Sequence, residues 1–304
     1  MAALLATLLL TLLLLLLLLL LLLQLLQLQH LVIYHVCITH ARNTQVSFLL
    51  AGRVAKRDEC HVAPFTPSAT SAGWTPLCKA SVASNLEMMQ LLLDRGANVN
   101  KEGEGGWTPL IYATCNRKAE AMELLLERGA SVDKTTKDGW TALIHASKSG
   151  NREAARLLLD AGAQIDKADK EGCTPLYMAI PEYWGLDVMR LLLDRGAAVD
   201  RARNGGWTPL LRATQKGKLE AVQLLLDNGA NVDQANEEGC TPLYMAIPEY
   251  WGLDVMRLLL DRGAAVDRAR NGGWTPLLRA TQKGKLEAVQ LLLDNGANVD
   301  QANE

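Results

Sequence analysis

Five histidines and six cysteines are the residues with which this chain could hold a metal or attack an electrophile. His30, His35, Cys37 and His40 lie close together in sequence. A tetrahedral site needs its ligands on one side, whereas steps of five turn successive side chains by about 140° on a helix and alternate faces on a strand. No single element brings these imidazoles onto one ion. The cysteines (Cys37, Cys60, Cys78, Cys115, Cys173 and Cys240) include no C-x-x-C pair and read as reduced thiols. A nucleophile also needs a base and an orienting group. His145 is the one histidine of the periodic region, and the pattern turns it outward or sideways with no partner to activate it; His61 stands apart. Neither G-x-x-x-x-G-K-[ST], H-E-x-x-H nor G-x-S-x-G occurs. We expect no catalytic residue, no metal and no cofactor, which leaves recognition as the chemistry.

Recognition points first to tryptophan. Trp74, Trp107, Trp140, Trp207 and Trp274 each precede a threonine, with Cys173 and Cys240 in the equivalent places of two further units. An indole removes a large apolar area from water while keeping one donor, so such a row is either interface anchors or packing that seals a turn. A second row is chemically varied: Lys79, Tyr112, His145, Met178, Arg212, Met245 and Arg279. That variety fits a ligand-reading face. A third group, Tyr183 with Trp184 and its copy Tyr250 with Trp251, follows a proline and forms either a docking patch or a cover for helix ends.

The elements that position these rows repeat. Glycines at Gly73, Gly106, Gly139, Gly172, Gly206, Gly239 and Gly273 are 33 or 34 residues apart, and Glu171–Glu237 recurs without a substitution as Glu238–Glu304. A fixed period of this size is the mark of a repeat architecture. In each unit a threonine stands where its oxygen can cap a helix, and a proline follows at the first helical position, where a missing N–H costs nothing. A second apolar run, such as Leu124 to Leu126, ends at a glycine that closes a helix. The polar stretch before the next unit is too short for a third helix and reads as a hairpin-like finger. In the fourth and sixth units, Pro181 and Pro248 must end or kink the first helix.

With Thr-Pro-Leu at Thr75, Thr108, Thr174, Thr208, Thr241 and Thr275, and Thr141-Ala142-Leu143 in the third unit, the chain resembles the ankyrin-repeat family over 73–304. The family's histidine after Leu is replaced by Cys78, Ile111, Ile144, Tyr177, Leu211, Tyr244 and Leu278, so apolar packing is expected in place of its hydrogen bonds. The resemblance implies an all-α solenoid of about seven helix-turn-helix units with fingers, binding a protein along the concave face of fingers and first helices. The two aromatic or varied rows above fall on that face. One helix pair cannot bury both its faces, so stability must come from stacking. The last unit, Gly273–Glu304, repeats Gly206–Glu237 with no polar substitution, which predicts the lowest local stability beyond about Gly273.

Ahead of the repeats, residues 1–40 begin with a run in which Ala2 to Leu23 holds only Ala, Thr and Leu. As a helix it would be roughly 33 Å long, near the hydrocarbon thickness of a bilayer. Its leucines favour insertion by about 5 kcal/mol. The run lacks a basic start, and Arg42, Arg53, Lys56 and Arg57 follow it, so we expect an uncleaved hydrophobic helix with the repeats on the cytosolic side. If the leucine run is instead low-complexity sequence without a structural role, the chain is expected to be cytoplasmic. Residues 41–72, with their Pro/Ser/Thr/Ala-rich stretch, read as a flexible linker. Lys plus Arg total 31 against 33 for Asp plus Glu, a net of −2, which provides no basic field for nucleic acid. The expected function is a membrane-tethered interaction scaffold for an unidentified protein; the alternative is the recruiting fragment of a larger enzyme or receptor.

Overall fold

The computed structural model describes residues 73–180, 186–247 and 252–303. The leucine-rich segment, the 41–72 stretch and the aromatic pairs Tyr183, Trp184, Tyr250 and Trp251 lie outside the described residues. Among the described residues, α-helices come in seven successive pairs: α1 (Pro76–Ala83) with α2 (Leu86–Asp94), α3 (Pro109–Cys115) with α4 (Ala119–Glu127), α5 (Ala142–Lys148) with α6 (Arg152–Asp160), α7 (Pro175–Met178) with α8 (Asp187–Asp194), α9 (Pro209–Gln215) with α10 (Leu219–Asp227), α11 (Pro242–Met245) with α12 (Gly252–Asp261), and α13 (Pro276–Gln282) with α14 (Leu286–Asp294). Each first helix packs on the first helix of the next pair. Among the described residues, no helix is long and apolar enough to cross a membrane.

Every first helix starts for the reason the sequence suggests. Thr108 Oγ1 accepts from the Ile111 N–H at 3.3 Å, and Thr208 does the same for Leu211 at 3.2 Å. Thr141, which lacks the proline after it, caps equally well through Ile144 N–H at 3.2 Å. Such a cap contributes about 1 kcal/mol. The helices α7 and α11 are a single turn long, four residues each against seven in α9 and α13, as the prolines of these two units require.

Burial follows the leucine triplets. The middle leucine of the later six, from Leu125 through Leu158, Leu192, Leu225 and Leu259 to Leu292, is fully buried, whereas Leu92 of the first is half-buried. Each such side chain contributes about 1.5–3 kcal/mol relative to exposure. The residues in the family's histidine position are buried from Cys78 to Tyr244, so hydrophobic packing does replace those polar contacts. Cys78 keeps a trace of them, its thiol lying 3.7 Å from the Lys101 carbonyl it donates to.

Two of the fingers are short hairpins closed by a bridge, Thr135 to Thr141 and Arg203 to Trp207. Neighbouring fingertips are joined by backbone bonds: Lys137 N–H donates to Gly105 O (2.7 Å), Asn204 to Glu171 (2.9 Å) and Glu237 to Gly205 (3.0 Å). At the base of the fingers a carboxylate ladder runs the same way. Asp133 accepts from Gln164 N–H, Asp166 from Ala198, Asp200 from Asn231, Asp233 from Ala265 and Asp267 from Asn298, at 3.0–3.1 Å for the shorter contact of each. Ion pairs between second helices repeat as Asp94–Arg128, Asp160–Arg195 and Asp227–Arg262 at 2.7–2.9 Å. Partly exposed as they are, each adds only about 0–1 kcal/mol, so they fix register more than stability.

Candidate partner-binding face

The threonine cap fixes the residue before it at the top of the finger. The first helix then carries the residue four positions beyond that threonine onto the same face, so the two rows read from sequence interleave. Trp74 stacks on Tyr112 at 4.9 Å, Tyr112 meets Trp107 at 5.2 Å, Trp107 meets His145 at 4.7 Å, and His145 meets Trp140 at 4.9 Å. Lys148 Nζ sits 5.0 Å above the Trp140 ring. Trp74 and Trp107 thus each touch a ring of the following unit, Trp140 touches one of its own, and the first three units share one aromatic ladder.

The ladder is packed more deeply than two separate surface rows would be. Tyr112 is 2% exposed, Trp140 5% and Trp207 9%, whereas Trp74, Trp107, Trp274, Arg212 and Arg279 are half-buried and Lys79 is exposed. Met178 is buried and Met245 half-buried. His145 departs from the outward or sideways orientation expected of it: it is buried between Trp107 and Trp140, because those rings close over the helix one unit apart. Burial first, and Lys148 second, pull its pKa from 6.5 down to about 3. Its Nε2 has no hydrogen-bond partner among the described residues, consistent with a neutral ring.

A stability consequence follows, and its sign is fixed. Below pH 6.5 the unfolded chain takes up a proton that the folded chain refuses, so the stability contributed by neutral His145 is present above 6.5 and is lost as pH falls toward about 3. The expected slope approaches 1.4 kcal/mol per pH unit in that window. Urea unfolding at pH 7 and pH 4.5 checks it: His145→Phe should flatten the His145 part of the difference, and an unchanged difference would assign the acid sensitivity elsewhere.

Beyond the third unit the chemistry of the face changes. Cys173 and Cys240 replace the indole, and arginines close over tyrosines instead. Arg212 Cζ lies 4.6 Å and Arg203 Cζ 5.7 Å from the Tyr177 ring centre, while Arg279 and Arg270 lie 4.4 and 5.7 Å from that of Tyr244. Arg203 also reaches Trp207 at 6.0 Å. Sequence reasoning missed Tyr177, Tyr244, Arg203 and Arg270 as part of this face. The available signal was the recurrence of R-A-R-N-G-G-W at 201–207 and 268–274.

Nothing in this arrangement resembles an activated nucleophile. Burial raises the thiol pKa values of Cys78, Cys240 and Cys115, the last to about 12, which keeps them protonated and unreactive. Among the described residues no group of three or more His, Cys, Asp and Glu is placed to hold a metal ion. The face offers aromatic planes and guanidinium groups.

A family model for ankyrin repeats, described as three copies, matches residues 34–136, 131–203, 182–269 and 233–303. The chain belongs to the ankyrin-repeat family. The match begins at residue 34, within the stretch that the sequence reads as hydrophobic segment and linker. Two solved ankyrin domains are similar to it. The ankyrin repeat domain of Bcl-3, a member of the IkappaB protein family, shares 29% identity at a TM-score of 0.65 over 73% of this chain and 99% of that one. The human ASB11 ankyrin repeat domain shares 28% identity at 0.64 over 74% and 99%. A sequence search of curated proteins gave no match. Ankyrin repeats are protein–protein interaction modules, and this chain carries an all-helical array of them.

Proposed function

We propose that the chain is a non-catalytic scaffold that binds a protein partner along its fingers and first helices. The observation carrying this is that Trp74, Trp107, Arg212 and Arg279 are half-buried, each against a ring neighbour, with half-buried Trp274 at the equivalent position of the seventh unit. Rigid aromatic and arginine side chains lose little freedom on binding and dominate interface energetics. The buried Trp140 and Trp207 support the face from beneath. We further read the leucine run as a membrane tether, on its length and apolar composition alone.

Quantitative proximity labelling in cells tests both parts. Trp107→Ala, and separately Arg212→Glu with Arg279→Glu, should deplete a common set of partners while circular dichroism stays helical, with losses of about 2 kcal/mol or more at hot spots. Glu123→Lys, an exposed change on α4, serves as the control. If the control depletes the same partners or the face variants retain them, the binding face is elsewhere. Carbonate extraction of the same cells should leave the chain in the membrane pellet, and release into the supernatant removes the tether.

A further inference from the structure

The repeated block brings two arginines onto one tyrosine twice, and like charges over one ring repel. A tyrosine face offsets only part of a guanidinium charge. Among the described residues no ion pair includes Arg212, Arg270 or Arg279. Arg279 is steadied by its Nε donating to the Ile247 carbonyl at 3.3 Å, and Arg212 by Met178 Sδ at 4.0 Å from its Nη1. Both side chains are half-buried, so part of each remains open to solvent. The corresponding positions of the first three units, Lys79, Tyr112 and His145, carry no arginine, so the guanidinium chemistry is confined to the later units.

We propose that the Tyr177–Arg203–Arg212 and Tyr244–Arg270–Arg279 clusters bind the carboxylates of one extended acidic segment of a partner protein, one acidic group on each cluster. This rests on the reading that the face binds a protein at all. A planar guanidinium fork matches a carboxylate with two parallel hydrogen bonds, and an anion on half-buried Arg212 or Arg279 offsets the repulsion from its neighbour, buried Arg203 or half-buried Arg270. The clusters are two units apart, and helices packed about 8–10 Å apart place them about 16–20 Å from each other. An extended chain rising about 3.3–3.6 Å per residue covers that in five or six residues. The exposed Glu171, Glu237 and Glu238 at the fingertips would repel carboxylates there and confine them to the arginines.

Fluorescence anisotropy with the full chain is the test. The probe is a fluorescein-labelled Gly/Ser peptide carrying two Glu-Glu pairs five to six residues apart. It should bind, with affinity that falls as salt rises. Replacing Glu by Gln, or shortening the spacing to two residues, should weaken binding at least tenfold, the latter through loss of simultaneous engagement. Arg212→Gln should weaken the Glu peptide about tenfold, and Arg212→Gln with Arg279→Gln should bring it to the level of the Gln peptide. Arg212→Lys, which keeps the charge and loses the fork, should fall between and serves if the Gln variants unfold. Equal binding of the Gln peptide, indifference to these substitutions, or binding only when phosphoserine replaces Glu would overturn the proposal. Selection of random displayed peptides, with amide-exchange mapping of the winners, separates this from the broader reading. Non-acidic winners that protect the fingers and first helices reject the acidic segment alone; winners that leave them unprotected reject both.

Discussion

Leu211→Ala is expected to destabilise the protein by about 2–5 kcal/mol, and the same substitution at Leu278 by about 1 kcal/mol or less. The two leucines sit in identical sequence, so propensity, capping and unfolded-state effects cancel in the comparison. What differs is burial: Leu211 is fully buried, with α11 packed on its helix α9, whereas Leu278 is half-buried. Removing buried methyl groups loses their transfer energy and leaves a cavity, while a half-covered side chain loses only part of the first. Val222, fully buried, and Val289, half-buried, repeat the contrast in the second helices, and Leu286 is 78% exposed against 40% for its copy Leu219. Urea unfolding of the two variants, with amide exchange to locate the loss, measures the effect. Equal losses would mean that stacking on the next unit adds nothing at this position.

Gly139→Ala should cost about 3 kcal/mol, against about 1 kcal/mol for Gly129→Ala. Both glycines hold left-handed backbone, φ +85° and +81°, which a side chain tolerates at about 1–2 kcal/mol. At Gly129 a new Cβ meets nothing within 4 Å. At Gly139 it lies 2.8 Å from the Lys170 N and 3.2 Å from the Asp169 Cα, backbone atoms that cannot rotate aside. Relief would require separating two fingertips, with loss of the bond from Lys170 N–H to Asp138 O. The same crowding recurs at Gly206 and Gly239, with contacts of 2.9 and 2.7 Å to the next finger. Denaturant midpoints of the two alanine variants decide the matter. If they match, the fingertip glycines are kept for their backbone angle alone.

These glycines belong to a pattern that is legible in the sequence. Their period, with the threonine caps and leucine triplets, is local information, and it was enough to place every helix pair, because each signal acts within about one turn of the residue that carries it. The early ends of α7 and α11 followed from proline on the same basis. The face was only half legible. Which positions lie on it follows from the repeat, but how deeply each is buried depends on the ring one unit away. His145 was expected to face outward or sideways because a helix pattern cannot show Trp107 and Trp140 closing over it. The arginine pairs were missed for a related reason: Arg203 is in the finger that follows the helix pair carrying Tyr177, Arg212 is in the next unit, and neither position is informative until the fold brings them together.

The two junctions of the duplicated block carry a consequence for how the chain is made. Arg195 and Ala198 dock on Asp160 and Asp166, and their copies Arg262 and Ala265 dock on Asp227 and Asp233, through the same bonds. The third and fifth units therefore offer seats that match at these two bonds, and the bonds alone do not tell the chain which copy belongs where. Vectorial synthesis supplies the missing information. At about 5–20 residues per second, the first copy leaves the ribosome seconds before the second and occupies the third unit unopposed. A chain diluted from denaturant has no such head start: the later copy can seat early with the first looped out, and must leave again before the array is complete.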